Sequence, residues 1–348
     1  MKTLSSRSRS SLVSSRMRRK LHTTGDARIS AAAVIALAAL LALPGAAHAQ
    51  QKFPVKPIRI VVAFSAGGTS DILARLITQG MGEAWGQPIV IEPRPGAGGT
   101  LAAAIVAKAT PDGYTLLATS ASFPISAASG AKLPYDPLKD FATVGEIGDG
   151  TQVLVVSPSL AVKTVKEFIA HAHTRPSRLL FGSTGALTST HLSTERFRSA
   201  AGIRATHVAF KGQSEYVIEI VADRVHFGAP GLIVALPLIK DGKLVPLVVA
   251  TPQRSPLLPD VPSAPEVVPG WGRDGGQAWL APAGTPIAIR RQISREMARN
   301  LALPEIKTRL QNMGFFISST TPEEHEKNLR TDIATFTKLV KELGLTAK

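Results

Sequence analysis

Between residues 58 and 250, short β-branched runs alternate with longer stretches of helical spacing, and each run ends near Gly, Ser, Thr or Pro. This order constrains the fold more than any other feature. Strands separated by helix-length connections pair mainly in parallel, so the chain reads as an α/β protein with helices flanking its sheets. The runs are Ile58–Ala63, Ile89–Ile91, Thr115–Ala118, Val153–Val156, Leu179–Phe181, Ala205–Val208 and Pro246–Ala250. A closing helix is clearest of all. Thr321 and Glu324 fit a capping box, Pro322 takes the first helical position, and Leu329, Ile333, Phe336 and Val340 mark one apolar face. Pro252 to Gly276 is rich in Pro and Gly and reads as a long irregular connection.

Charge has to be divided before it is interpreted. Forty Lys and Arg against 25 Asp and Glu give +15, but +7 of this lies in residues 1–49, where eight basic residues face only Asp26. That segment has a basic, Ser-rich start, an apolar run from Ile29 to Leu43, then Pro44, Gly45 and Ala47-His48-Ala49. This is the layout of a secretory signal peptide, with cleavage expected after Ala49. The apolar run falls short of the ~20 residues needed to span a bilayer. Arg18-Arg19 is followed by Lys20-Leu21-His22, a poor fit to twin-arginine export. The chain has no cysteine, which excludes disulfides, thiolate metal sites, a cysteine nucleophile and a lipid-bearing cysteine. An exported, periplasmic protein without a lipid anchor is expected. No basic stripe interleaved with aromatics follows residue 49, so no nucleic acid partner is expected. The remaining basic excess suits an anionic small molecule or an acidic partner surface.

Two places combine a strand end, small polar residues and a helix start, where α/β proteins usually hold ligands. In the first, Phe64 to Asp71, the pair Gly67-Gly68 lets backbone approach a ligand beside Ala66, while Thr69 and Ser70 bring hydroxyls to a helix N-terminus. Such a turn attracts anions, a carboxylate being the simplest. Asp71 is expected to cap its own helix sooner than to touch a ligand. In the second, Ser183, Thr184, Gly185, Thr188, Ser189 and His191 gather at another helix start. Two such turns facing each other suit a dicarboxylate held end to end. The alternative is that the hydroxyls only cap the helix and complete the turn.

Enzymatic motifs mostly fail. Phe64-Ser65-Ala66-Gly67 has the setting of a nucleophile elbow but carries Ala63 where glycine is required. Gly96-Ala97-Gly98-Gly99-Thr100-Leu101 follows a strand as a dinucleotide fingerprint would, yet Leu101 stands in the third glycine position, and a tight turn explains it better. His171 and His173 have no partner nearby in sequence and read as exposed helix histidines. No catalytic residue, metal or cofactor is assigned.

The chain resembles the TctC, or Bug (Bordetella uptake), family of solute-binding proteins of tripartite tricarboxylate transporters. The resemblance runs from about Phe53 to the C-terminus. It rests on Phe53-Pro54-Val55-Lys56-Pro57-Ile58-Arg59, Ala66-Gly67-Gly68 with Asp71-Ile72, Arg94-Pro95-Gly96-Ala97-Gly98-Gly99, Pro111-Asp112-Gly113-Tyr114-Thr115-Leu116 and Leu133-Pro134-Tyr135-Asp136-Pro137. It continues through the Ser183 to His191 turn, Phe210-Lys211-Gly212, Pro259-Asp260-Val261-Pro262 and Ala281-Pro282-Ala283-Gly284-Thr285-Pro286.

The resemblance implies a two-lobed periplasmic binding protein fold of type II, each lobe a mainly parallel sheet flanked by helices, with the ligand cleft between lobes. It implies lobe 1 from residues 50–153 and 251–348, lobe 2 from 154–250, and a monomer that captures a small carboxylate or related amide by hinge closure for membrane permease subunits. A sensor feeding a two-component receptor is the nearest alternative, a serine hydrolase using Ser65 and His191 a distant one. The two turns would grip the ligand's polar ends, with further contacts from Thr119-Ser120-Ala121-Ser122 and from around Phe210 and Pro230-Gly231. The family usually carries a third glycine near Thr69, Asn-Gly at Ala186-Leu187, Asp-Asn at Pro230-Gly231 and Trp at Gly276. These departures tilt the expectation toward a less polar carboxylate, aromatic acids included.

Overall fold

A computed structural model describes residues 53–174, 178–268, 271 and 276–345. The signal-peptide reading of 1–49 lies outside the described residues.

The central strands are buried on both sides, and that dictates layers. In β1 (Ile58–Val62), Ile58, Ile60 and Val62 enter one core while Val61 enters another on the opposite face; a strand with apolar side chains on both faces needs helices over both. β1 pairs in parallel with β2 (Ile89–Pro93) and β3 (Thr115–Ser120), Ile60 lying opposite Ile91 and Leu116. β10 (Gln277–Pro282) runs antiparallel between β3 and β4 (Phe141–Gly150), and β11 (Phe315–Ile317) closes the edge, giving a six-stranded sheet in the order β11-β4-β10-β3-β1-β2. One face is covered by α1 (Thr69–Trp85), α9 (Ile287–Leu301) and α10 (Pro304–Gln311). The other is covered by α2 (Thr100–Ala107), α3 (Ser122–Ala128) and the start of α11 (Pro322–Glu342).

A five-stranded sheet follows the same logic. Its order is β7 (Ala205–Ala209), β6 (Leu179–Ser183), β8 (Phe227–Gly228), β5 (Val153–Val156), β9 (Val245–Val249). Leu154 and Val156 face a core shared with α4 (Val165–Thr174), α5 (Ser189–Ala200) and α8 (Ala264–Val267), whereas Val153 and Val155 face α6 (Gln213–Val221) and α7 (Leu232–Lys240).

Both sheets are mixed. Most strands in each point one way, but β10 and β11 oppose the rest of the first sheet, and β5 opposes the rest of the second. Every predicted run is a strand, with ends shifted by no more than two residues. β4, β8, β10 and β11 have no counterpart in the sequence reading. β4 contains Gly145, Gly148 and Gly150, which read locally as turns, and it holds as a strand because β10 and β11 pair along its two edges. The capping box at Thr321 and Glu324 forms as expected. The Pro252 to Gly276 connection contains α8 and returns the chain from the five-stranded to the six-stranded sheet.

Candidate functional site

The chain passes between the sheets along Thr151-Gln152, joining β4 to β5, and Ala250, directly after β9, donates its N–H to the Gln152 carbonyl at 2.8 Å. Against these two crossing segments lies a small cavity of about 30 Å³. Gly150, Gln152 and Ala250 form its floor, and Gln277 of β10 one wall. Four helices begin around it: α1 at Thr69, α5 at Ser189, α6 at Gln213, and α7 just after Gly231. Ser120 and Ala121, ahead of α3, complete the lining. Each helix start carries partial positive charge from its unpaired N–H groups; α1, α6 and α7 have no side-chain cap, while Asp71 and Glu215 stand in the first turns of α1 and α6. None of the lining residues is charged, so backbone dipoles and neutral side chains set the electrostatics.

The first predicted turn sits at the interface between the two sheets. Gly67 adopts φ +75°, a left-handed value open to glycine, and Ser214 Oγ donates to the Ala66 carbonyl at 2.9 Å. Thr69 Oγ1 donates to Gln213 Oε1 at 3.2 Å, and Ser70 Oγ to Gln277 Oε1 at 2.6 Å. Gly68 is the N-cap of α1. Asp71 turns back on its own turn: its carboxylate accepts the Gly67 N–H at 2.9 Å and pairs with Arg75 at 3.0 Å. It thus ties down the turn ahead of α1 without capping the helix itself, whose N-cap is Gly68. Phe64 belongs to the core beneath β1.

The second turn is a closed hydroxyl network. The Thr190 hydroxyl accepts the Thr184 N–H at 3.0 Å and lies 3.0 Å from the Thr184 hydroxyl and 3.3 Å from that of Thr188. Thr188 Oγ1 donates to the Gly185 carbonyl at 2.7 Å and receives the His191 N–H as the cap of α5. Ser183 Oγ donates to the Gly185 carbonyl and lies 2.7 Å from His207 Nε2. His191 Nδ1 accepts the Leu187 N–H, and its ring centre is 4.3 Å from that of His207. Burial holds both imidazoles down to about 4, helped for His191 by the Arg198 charge and for His207 by His191.

Of the residues singled out in the sequence, Thr69, Ser120, Ala121, Ser189 and Gly231 line the cavity itself. Ser122 stands one layer behind, its hydroxyl accepting the Ser189 N–H at 3.1 Å across the two sheets. Phe210 packs near Tyr216, and buried Pro230 uses its carbonyl on the Val153 N–H. Ser65 donates to Glu215 at 2.6 Å and not to His191, so the pair named for a serine hydrolase is not formed. Leu187 joins an apolar cluster with Leu192, Phe336 and Val340, and Ala186 is exposed. Neither Ala186 nor Leu187 lines the cavity.

A family model for the tripartite tricarboxylate transporter family receptor matches residues 73–345. The chain belongs to this family. A UPF0065 protein of Bordetella bronchiseptica is 34% identical over 302 residues, 86% of this chain and 90% of the relative. A solved R. palustris structure with adipate superposes at TM-score 0.81 with 32% identity, covering 84% of this chain and 99% of that one. The periplasmic binding protein BugD gives TM-score 0.81 at 25% identity, covering 85% and 100%. The receptor thus has the two-lobed α/β fold of periplasmic solute-binding proteins, with one sheet in each lobe and the Gly150–Gln152 and Ala250 crossings between them.

Sequence reasoning did not reach Gln152, Gln213 or Gln277 of the receptor. Gln213 directly follows Phe210-Lys211-Gly212, whose glycine ahead of a helix was a usable signal. Gln152 and Gln277 had none, because what brings them together is the pairing of β4 with β10 and the crossing between sheets.

Proposed function

We propose that the receptor captures a small carboxylate in the periplasm and presents it to the membrane subunits of a tripartite transporter, acting as a monomeric binding protein and not as an enzyme. The observation that carries this reading is the convergence of four helix starts on an uncharged cavity between the lobes. N-terminal dipoles and N–H groups favour an anion without fixing a cation beside it. The adipate found in the R. palustris relative is of this class. Residues 1–49 would be the export signal, 50–153 and 251–348 the first lobe, and 154–250 the second. Hinge bending at Thr151-Gln152 and Ala250-Thr251 would bring Thr69 and Ser189 onto opposite ends of the solute, the closed form being the one stabilised by ligand and read by the permease.

Among the described residues, no helix is long and apolar enough to cross a membrane. The test is a thermal-shift screen of the purified protein against mono-, di- and tricarboxylates, amino acids, aromatic acids and neutral amides. A carboxylate that raises the melting midpoint, with the shift reduced in Ser189→Ala and Thr69→Val, supports the reading by mass action. A response restricted to neutral or cationic compounds would refute it.

A further inference from the structure

The two lobes touch through apolar side chains as well as through the crossings between them. Leu192 of α5, fully buried, belongs to a cluster with Ala121 and Ile125, in and just ahead of α3, and with Phe336 and Val340 of α11. Leu187 packs against this cluster from the turn ahead of α5. The two leucines come from the second lobe, the other side chains from the first. α11 divides its apolar face accordingly: Leu329 and Ile333 cover the six-stranded sheet, whereas Phe336 and Val340 serve the cluster.

Leu187 holds this place in an unfavourable backbone conformation. Its φ is +58°, in the left-handed region, and the other non-glycine residues there among the described residues are Ala97, Ala161 and Asp223, all with shorter side chains. Its N–H donates to His191 Nδ1, and Thr188 caps α5 beside it. Strain of this kind persists where the surrounding structure holds it, and it gathers at functional positions. Contact with a solute does not account for it, since neither Leu187 nor Leu192 lines the cavity. A second apolar contact, Ile233 in the first lobe's core, lies beside the crossing, where the Leu232 N–H donates to the Thr151 carbonyl at 2.6 Å. Hinge bending moves that point least.

We infer that Leu187 and Leu192 form an apolar clasp with α3 and the second half of α11, and that this clasp holds the lobes closed before a solute is bound. The inference rests on the hinge reading above and adds what sets its equilibrium. Opening the cleft would return Leu187, Leu192, Ile125 and Phe336 to water, which opposes opening in proportion to the apolar area exposed. A solute then completes a closure that is already favoured, and less of its binding energy is taken up by moving the lobes.

The test is an inter-lobe cross-link in a chain that has no cysteine of its own. A Cβ at Gly67 lies 3.7 Å from Ser214 Cβ across the cleft, inside the ~3.5–4.5 Å that a disulfide spans. In the purified Gly67→Cys, Ser214→Cys protein, equilibration in glutathione buffer without solute gives the effective concentration of the two thiols, which follows the closed population. Strain from a side chain at Gly67 is common to the whole series and cancels in ratios. Leu187→Ala and Leu187→Gly are each expected to lower the effective concentration ~10-fold, and Leu187→Met to keep it within ~2-fold. Alanine keeps the left-handed strain and glycine relieves it, so a fall in both follows the lost side chain and not the backbone. A fall in only one of them, no fall in either, or thiols that fail to pair in the Leu187 protein overturns the inference. The carboxylate reading is decided separately by the thermal-shift screen, which the cross-link does not use.

Discussion

The two hydroxyl-rich turns look alike in sequence and do different work. Phe64 to Asp71 spends its groups on the opposite lobe: Ser65 on Glu215, the Ala66 carbonyl on Ser214, Thr69 on Gln213. Ser183 to His191 spends nearly all of its groups on itself, through Thr184, Thr188 and Thr190, and only Ser189 faces the cavity. A strand end followed by small polar residues and a helix start therefore marks where a site is built, but not which residues touch a ligand. In the second turn the hydroxyls hold the helix start in place; in the first they hold two lobes together.

That contrast can be broken most forcefully at Thr190. Replacing it with valine removes a fully buried hydroxyl that serves Thr184 and Thr188, so Thr190→Val should lower stability by ~3 kcal/mol in chemical denaturation. A loss below ~1 kcal/mol would mean that the network is not what holds the turn.

Acid should act next most strongly, and through the same turn. The folded-state values of His191 and His207 lie below the ordinary 6.5, at about 4, so the unfolded chain takes up protons that the native one refuses. Their stabilising contribution is present above pH 6.5 and is lost as pH falls through 4. His325, buried in α11 and held down to about 3, adds a further loss at lower pH. A melting midpoint followed from pH 7 to 4 should drop by ~5 °C or more, and His191→Phe should flatten the curve. An equally steep curve in that variant would place the acid sensitivity outside this turn.

A smaller effect is expected where the Gly96–Gly99 turn, read in sequence only as a tight turn, meets the second turn. Gly98 has φ +63°, and a Cβ there would sit 3.1 Å from Thr188 Cγ2. Gly98→Ala should destabilise the protein by ~1 kcal/mol through the left-handed backbone, and weaken solute binding further by crowding the lobe contact. Stability and affinity falling together by the same amount would argue against a special role in closure.

Smallest in stability is Thr69→Val, which loses one 3.2 Å hydrogen bond. It should cost about 0.5–1 kcal/mol on unfolding yet lower solute affinity ~10-fold in a titration, since both the hydroxyl and the position of Gln213 are lost from the cavity.

Local chemistry alone reached a good deal. The apolar runs Ile60–Val62 and Val153–Val156 dictated strands covered on both faces, because consecutive apolar side chains point to opposite sides and must be buried on both. Thr321, Pro322 and Glu324 dictated the start of α11, because capping is satisfied within four residues. The glycines and hydroxyls of the two turns located the cleft for the same reason: helix starts need partners nearby. Tertiary structure decided the rest. β4, with three glycines, is a strand only because β10 and β11 flank it. Leu187 is turned into an apolar cluster by α11, more than a hundred residues away in the chain. The Gln152, Gln213 and Gln277 amides meet at one cavity because β4 and β10 pair and the chain crosses between sheets there. Caps and amphipathic faces are settled by neighbours within a turn or two, whereas the composition of a cleft between lobes depends on pairings between distant segments, which no local pattern encodes.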